Sequence, residues 1–562
     1  MCGIFALLNN DTIQNRIVNN EFMKGRRRGP EFSKLEINYI KMILGFHRLA
    51  INGLNEASNQ PLVINDIVLI CNGEIYNYKE LYTSMGISAK TGSDCEVIIH
   101  LYLKYGIEQT LIMLDGVFSF ILYDNRIHDG LENNIYVARD PYGVRPLYYL
   151  KDNMSSLYGF ASELKCLEHF YNINPEQYSI QHFQPGTYSV FKLSNKVCSR
   201  WTLMKENVLY FVPSFSHTHL EPMVLYDLYQ NVSAYLINAV NKRCLTTERP
   251  IACLLSGGLD SSLIAALVSE YYKNNHYDRP LETYSIGLEG SEDLKYARIV
   301  ADYIGSKHHE VIVTENDMFN AIPEVIEAIE SYDTTSVRAS IGNYLLGKYI
   351  AAHSEAKVIF NGDGSDELFG GYLYMNKCPD DIEFDKETRR LLKDIHLFDV
   401  LRSDKSISSN GLEPRTPFLD KSFVNYILSI PVYYRNHANS IDKIEKTLLR
   451  TSFSQDVYKN SNDQSLLPDS ILWRKKEAFS DGVSSQGRSL YQILQEKIAN
   501  KLNSELIENT SFAPSIETEK YYYKRIFDSF FPNCQSIVPY FWMPKYTDAT
   551  DPSARTLTFY EK

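Results

Sequence analysis

The hydrophobic period changes once along this chain, and the change requires two different folds in one polypeptide. From Met1 to about Val190, short runs rich in β-branched and aromatic residues alternate with turns, as in Ile67–Cys71, Val117–Tyr123, Ile135–Ala138 and Leu147–Leu150, with helical spacing around Glu96–Tyr105. This pattern predicts an α+β unit of antiparallel sheets with helices packed on them. From about Leu220 the segments alternate in type. Asn231–Val240, Ser262–Tyr272 and Tyr296–Ile304 have helical spacing, while Pro250–Leu255, Leu281–Leu288, His308–Val313 and Lys357–Phe360 are short apolar strands. Alternation of this kind implies parallel βαβ units and a doubly wound α/β sheet. The expected layout is one domain over 2–190, a connection without clear period at 191–219, a second domain over 220–545 and a tail at 546–562.

With 562 residues, 44% of them apolar and 22% charged, the chain has the length for more than one domain and the material for buried cores. Global disorder is excluded. The net charge of −12 argues against a protein built to neutralise nucleic-acid phosphates or an anionic membrane. The expected partners are small molecules; a homodimer is left open. Nine cysteines with no CxxC pair form neither a disulfide framework nor a zinc ligand set, which fits a reducing, cytoplasmic compartment. The first residues, MCGIFALL, lack the positive segment of a secretion signal, and no apolar run reaches the roughly 18 residues of a membrane helix.

Cys2 directly follows the initiator Met. Removal of Met1 would leave a thiol and a free α-amine on one residue, and an amine with a reference pKa of about 7.7–8.0 can take the thiol proton and later return it to a leaving group. Taken alone, a second-position Cys is more often a small buried residue. Its surroundings change that reading. RRGP at Arg27–Pro30, GFHRLAI at Gly45–Ile51, CNGEIYNY at Cys71–Tyr78, TGSDCEVI at Thr91–Ile98, LDGVFSF at Leu114–Phe120 and RDPYGVRPLYY at Arg139–Tyr149 follow MCGIFALL in order. This half resembles the N-terminal-nucleophile (Ntn) glutamine amidotransferases, and the resemblance implies an Ntn-hydrolase fold with Cys2 as nucleophile.

Chemistry assigns the remaining positions within that resemblance. A tetrahedral intermediate on a glutamine amide needs oxyanion donors, which the Asn72 side-chain NH₂ and the Gly73 backbone N–H can supply. The α-carboxylate of glutamine needs a cation, for which Arg48 is the candidate. Leu49, Ala50, Ile51 and Asn52 continue that segment and are assigned to the same site. The α-ammonium needs carboxylates, for which Asp94 and Glu74 are candidates. The ordinary alternatives are a salt bridge for Arg48 and turn-forming roles for Asn72 and Asp94. Two departures stand out: Arg27 replaces the His of the usual HRGP, and Gly53 replaces an Asp that commonly closes the RLAxxD segment.

In the second half, Ser256-Gly257-Gly258-Leu259-Asp260-Ser261-Ser262 lies between an apolar strand and a helical pattern. Glycines permit a tight turn, hydroxyls and amides converge on a phosphate, and the helix N-terminus adds its positive end. A capped Gly-rich turn is the plain alternative. The loop lacks the Lys of a P-loop and resembles the pyrophosphate loop of enzymes that cleave ATP between the α- and β-phosphates. Because ligands of parallel sheets sit beyond the strand carboxyl ends, Leu254 and Ile286 are expected beside adenine, with Asn361 and Gly362 near the nucleotide. Asp260 and Asp366 suit Mg²⁺, which takes one or two carboxylates plus phosphates; helix capping is the alternative for Asp366.

YDTTSVRAS at Tyr332–Ser340, GLEPRTPFLD at Gly411–Asp420, ILWRKKEAFSDGV at Ile471–Val483 and WMPKYTDATDPSARTLT at Trp542–Thr558 extend the match, so that nearly the whole chain resembles the glutamine-hydrolysing asparagine synthetases, in the last two blocks the eukaryotic type. The resemblance implies an ATP-pyrophosphatase-type second domain and a ligase consuming aspartate, glutamine and ATP with Mg²⁺, through a β-aspartyl-AMP intermediate and internally transferred ammonia. It places Thr335 and Arg338 near aspartate or pyrophosphate, with Lys476 neutralising the departing pyrophosphate. Asp363 stands where the family has a Glu linked to the aspartyl-AMP step, and the carboxylate is one methylene shorter. That departure, with Arg27 and Gly53, motivates a second reading as a catalytically weakened, nucleotide-binding regulatory or scaffolding relative. Amidophosphoribosyltransferases and hexosephosphate amidotransferases share the first half but should not carry SGGLDSS, and β-lactam-forming relatives lose the Cys2 nucleophile.

Overall fold

Strand β1 (Gly3–Leu8) is buried along its whole length, as a strand must be when both of its faces meet apolar layers. The computed structural model describes residues 1–562 except 127–132, 153–156, 194–198, 218–223, 442, 478, 485–486, 506–510 and 559–562. In chain order the first half continues with β2 (Phe32–Tyr39), β3 (Met42–Arg48), β4 (Leu62–Ile64), β5 (Ile67–Ile75), β6 (Gly116–Asp124), β7 (Asn134–Arg139), β8 (Tyr148–Asp152), β9 (Tyr158–Ala161), β10 (Tyr178–His182), β11 (Thr187–Leu193) and β12 (Trp201–Leu209). They form two antiparallel six-stranded sheets, ordered β10-β8-β9-β1-β3-β2 and β12-β11-β7-β6-β5-β4.

Period-2 alternation explains how the sheets stack. Ile4, Ala6 and Leu8 of β1 join Leu44, Val68, Ile70, Ile121 and Trp201 in the core between the sheets, while Phe5 and Leu7 turn to the opposite face, against Val18 and Phe22 of helix Asn15–Met23. Helices Tyr78–Met85 and Val97–Met113 cover the outer face of the second sheet through Leu81, Ile98 and Leu101. The unit is thus helix, sheet, sheet, helix, the α+β arrangement anticipated above.

The second half contains β13 (Ile251–Leu254), β14 (Glu282–Gly287), β15 (Lys307–Ile312), β16 (Val358–Phe360) and β17 (Glu413–Arg415), all parallel in the order β15-β14-β13-β16-β17. Cys253 and Phe360 pack on one face with Leu263 and Ile264 of helix Leu259–Asn274. Ala252, Leu254 and Ile359 pack on the other with Leu346 and Ile350 of helix Thr334–His353. The chain winds outward from β13 to β15, then returns to β16, so the strand order reverses between β13 and β16. Ligands of open parallel sheets bind at such a point.

One segment differs from expectation. The stretch 191–219 carries the end of β11 and all of β12, which pairs antiparallel with β11. Only Trp201 of β12 is buried, and the residues after it are half-buried or exposed, so this edge strand shows little hydrophobic period. Residues 194–198 and 218–219 of the stretch lie outside the described ones.

Buried charges join the halves. Arg28 donates to Glu163 Oε1 at 2.9 Å and, across the interface, to Asp404 Oδ2 at 2.7 Å. Arg145 reaches the same Asp404 at 3.3 Å, and Lys405 pairs with Glu163 at 3.3 Å and with Glu330. Arg415 of β17 lies 3.3 Å from Glu74 of β5. Burial raises the Glu163 carboxyl, but Lys405, Lys165 and Arg28 outweigh it and hold the group at about 2. Removing one member of a buried pair strands its partner, at a cost of about 3–5 kcal/mol. Arg28→Met should therefore lower the unfolding free energy by that order in urea titration; a change within about 0.5 kcal/mol, as for a surface site, would contradict the network's role.

Candidate active sites

The first candidate site lies where β1 begins. Cys2 is half-buried, and its thiol points at the Leu49 carbonyl, 3.6 Å away just past the end of β3. Burial raises the thiol above its usual value. The Met1 amine is also buried, which lowers it to about 6, with Glu413 opposing that shift and Arg28 and Arg145 adding to it. Asn72 is fully buried in β5, with Nδ2 3.4 Å from Ser162 Oγ; the same hydroxyl accepts the Ile4 N–H of β1 at 3.1 Å. Its Oδ1 has no hydrogen-bond partner among the described residues.

Gly73 pairs with Phe118 of β6, yet the Phe118 N–H and carbonyl both bond Asp140, on the far side of β6. The two residues therefore form a non-hydrogen-bonded pair, so the Gly73 N–H points away from β6. A Cβ at Gly73 would stand 2.6 Å from the Val117 carbonyl, so the close strand approach requires glycine.

The glutamine-site candidates gather, but each already has partners. Arg48 donates to the carbonyls of Asn52 and Asn55 at 3.2 and 3.0 Å, to the Gly53 carbonyl and to Asn59 Oδ1 at 2.7 Å, so in this structure the guanidinium shapes the 52–59 loop. Leu49, Ala50 and Ile51 are buried, and the Ala50 N–H donates to Glu31 at 2.7 Å. Asn52 donates to Glu74 Oε2 at 2.7 Å, which with Arg415 ties Glu74 to the interface. Asp94 accepts the Ile75 N–H at 2.7 Å, and burial lifts its carboxyl to about 6. Gly53 has φ 59°, and a Cβ there would overlap Ser58 Oγ and Gly92; the departure from Asp is thus matched by close packing. Arg27, the other departure in this half, is exposed beside Glu327 at 3.5 Å.

The second candidate site is a cavity of about 190 Å³ at the carboxyl ends of β13, β14 and β16. Leu254 and Ile286 line its wall, with Ser256, Gly258, Asp260 and Ser261 along the turn into helix Leu259–Asn274. Ser256 Oγ and Ser261 Oγ are 3.0 Å apart. Gly257 does not line the cavity. Its φ is 72°, a Cβ would overlap the Ala297 backbone, and its carbonyl accepts from Arg474 at 3.0 Å. Asn361 and Gly362 close the opposite side, where a Cβ on Gly362 would stand 2.8 Å from the Asp260 backbone. That absent Cβ lets the two loops touch.

Charges converge at the far end of the cavity. Asp366 is tied to Lys446 and Lys476, each at 2.5 Å, and they outweigh burial and depress its carboxyl. The Lys476 ammonium is raised despite its burial, chiefly by Asp366 and then by Asp260. Asp363 lines the cavity 3.6 Å from Arg402, and burial raises its carboxyl. Thr335 also lines it, with a hydroxyl lacking a hydrogen-bond partner among the described residues.

Arg338, expected near aspartate or pyrophosphate, is elsewhere. Its guanidinium is buried and doubly forked, onto Glu519 at 2.8 and 2.6 Å and onto Asp551 at 2.7 and 2.8 Å. Those carboxylates belong to helix Ile516–Phe530 and the tail, so Arg338 anchors the C-terminal segment. Sequence reasoning also passed over residues that do line the cavity: Glu367, Tyr372, Asp399, Arg402 and Lys446. Glu367 and Tyr372 lie in the run NGDGSDELFGGY, Asn361–Tyr372, which also holds Asn361, Gly362, Asp363 and Asp366. Asp399, Arg402 and Lys446 carry no glycine or spacing signature.

Comparison with known proteins agrees with this two-site geometry. The glutamine amidotransferase domain model matches residues 1–200, and the asparagine synthase model matches 231–383 and 376–551. The chain is 42% identical to the glutamine-hydrolysing asparagine synthetase of Gallus gallus, 40% to that of Cricetulus griseus and 39% to that of Homo sapiens, in each case over 100% of this chain and 99% of the relative. The chain belongs to the asparagine synthetase family. In this asparagine synthetase family member, Asp363, Gly53 and Arg27 are local departures within a match that spans both halves. The Arg338 assignment is testable: a folded Arg338→Lys variant should lose about 1–3 kcal/mol of stability, the cost of leaving buried hydrogen-bonding groups unsatisfied, with its affinity for ATP unchanged. A drop in ATP affinity without destabilisation would return Arg338 to the cavity.

Proposed function

We propose that this chain makes asparagine, AMP and diphosphate from aspartate and ATP, with ammonia released from glutamine in its first half. What carries the reading is the pairing, in one chain, of a second-position Cys at the start of β1, tied through Ser162 to the candidate oxyanion donor Asn72 of β5, with a phosphate-type turn at the strand-order reversal of a parallel sheet. The full-length match to glutamine-hydrolysing synthetases supports the enzyme over the regulatory reading.

In the first half, loss of Met1 leaves the α-amine on Cys2. The amine takes the thiol proton, and sulfur attacks the glutamine side-chain carbonyl. Asn72 Nδ2 and the Gly73 N–H stabilise the oxyanion. The protonated amine returns its proton to the leaving ammonia, and water then releases glutamate from the thioester. Arg48 exchanges a loop carbonyl for the glutamine α-carboxylate, with the backbone of Leu49, Ala50, Ile51 and Asn52 forming the wall. Asp94, ionised above about pH 6, receives the α-ammonium together with Glu74.

In the second half, Leu254 and Ile286 bracket adenine, Asn361 and Gly362 close over the nucleotide, and the Ser256–Ser261 turn, shaped by Gly257 and Gly258, holds the β- and γ-phosphates. The aspartate β-carboxylate attacks the α-phosphorus, forming β-aspartyl-AMP and expelling diphosphate toward Lys476. Ammonia then attacks the acyl carbon and AMP leaves. Asp399 and Arg402, paired at 2.5 Å on the cavity wall, supply the anion and cation that an amino acid's ammonium and carboxylate require, with Thr335 donating from the other side. Asp260 and Asp366 would hold Mg²⁺ together with phosphate oxygens, which fits its preference for a few hard oxygen ligands, and the metal would neutralise charge on the leaving diphosphate.

The compartment proposed is cytoplasmic, supported by the absence of a disulfide among the eight cysteines described. No helix among the described residues is long and apolar enough to cross a membrane.

Asparagine and AMP formation, assayed with glutamine and then with ammonium, tests the reading. Cys2→Ala should abolish synthesis from glutamine and keep most of that from ammonium, whereas equal loss with both donors would refute the division of labour. At Asp363, Asp363→Asn keeps the shape and loses the charge, so synthesis should fall by about 100-fold or more, the scale of a misplaced reacting group. Asp363→Glu should equal or exceed wild type. Normal activity in the Asn variant would remove this carboxylate from the mechanism.

A further inference from the structure

Between the two carboxylates at the phosphate end of the cavity lies a cation that no motif announces. Lys446 is 2% exposed, and its Nζ donates to both oxygens of Asp260, at 2.7 and 2.6 Å, while standing 2.5 Å from Asp366 Oδ1. Lys476 meets the same carboxylates, at 2.5 Å from Asp366 and 3.7 Å from Asp260. Two ammoniums and two carboxylates thus cancel one another.

The surrounding backbone is built for this arrangement. Lys446 itself has φ 59°, a left-handed conformation that costs strain in any residue with a Cβ and persists where the surroundings over-determine it. Its side chain runs past Gly371, where a Cβ would overlap both Lys446 Cε and Asp366 Oδ1. A strained Lys and a glycine that leaves its stem room together thread one buried ammonium between two carboxylates from the first turns of two helices, Leu259–Asn274 and Ser365–Phe369.

We propose that Lys446 is a resident counter-ion in the position a divalent cation needs, so that the metal enters only together with the phosphates of the nucleotide. A bare divalent ion approaching Asp260 and Asp366 meets ammoniums already within hydrogen-bonding distance of their oxygens, and at such separations like-charge repulsion is strong in a desolvated site. A metal–nucleotide complex removes that obstacle, because its phosphate oxygens give the displaced ammonium a new partner. The two helix starts therefore stay neutral and joined when the site is empty. Metal and nucleotide affinities become linked, each raising the other by the same factor. This inference rests on the reading of the Ser256–Ser261 turn as a nucleotide site.

Mn²⁺, followed by the loss of its free electron paramagnetic resonance signal, tests the proposal on the full chain. Wild type should bind Mn²⁺ at this site only when a non-hydrolysable ATP analogue is present. Lys446→Met should bind Mn²⁺ without nucleotide, on the order of tenfold tighter than wild type or more, and adding Asp366→Asn to that variant should abolish the gain. Wild type that binds Mn²⁺ equally well with and without the analogue overturns the proposal, and this comparison needs no variant to fold. A folded Lys446→Met protein that binds Mn²⁺ no better than wild type also overturns it. Nucleotide-linked binding that survives intact in both Asp260→Asn and Asp366→Asn would remove these carboxylates as metal ligands, and the Lys446 proposal with them, whereas a wild type that fails to bind the analogue at all would overturn the nucleotide reading on which the proposal rests.

Discussion

The docking of the two halves depends on charges that neither half can bury alone. Arg28 and Glu163 come from the sandwich, Asp404 and Lys405 from the other unit, and Arg145 and Glu74 extend the contacts to β17 through Glu413 and Arg415. Exposed ion pairs contribute about 0–1 kcal/mol. A buried charge left without its partner costs several times that, so the network acts less as glue than as a register: a misdocked arrangement strands carboxylates and guanidiniums in an apolar interface. The same network surrounds the start of the chain, because the Arg28 Nε donates to the Cys2 carbonyl at 3.0 Å. Docking of the halves and placement of the candidate nucleophile are thereby one event.

Much of this architecture could be read from the sequence because it follows from local pattern. The period change predicted two units, the alternation of short strands and helices predicted the parallel sheet, and SGGLDSS predicted a tight turn ahead of a helix. What stayed hidden is long-range or polar. β12 has a single buried side chain to reveal it. β17 is three residues long and contains Pro414. Arg338 stands in a block that looks like substrate chemistry, but its partners lie 181 and 213 residues away, a separation at which no spacing rule operates. Lys446 was missed for the same reason, since its partners sit 80 or more positions upstream, in the first turns of two separate helices.

The three departures from the family pattern differ in kind. Arg27 is exposed beside Glu327, away from the thiol's own contacts. Gly53 is locked by a positive φ and by contact with Gly92, and its carbonyl holds Arg48, so the glycine is built into the loop that Arg48 organises. Asp363 alone lies in the cavity wall, close to Arg402. Of the three, Asp363 is therefore the one placed to act on whatever the cavity holds.

The proposed function joins the halves into one device if ammonia from the first is consumed in the second before it mixes with solvent. Glutamine labelled with ¹⁵N at its side-chain amide, supplied with aspartate, ATP and excess unlabelled ammonium, tests this by mass spectrometry of the asparagine formed. The account predicts asparagine far richer in ¹⁵N than the ammonium pool at the same moment. Asparagine whose label only matches that pool would contradict it, because the two sites would then be communicating through bulk water.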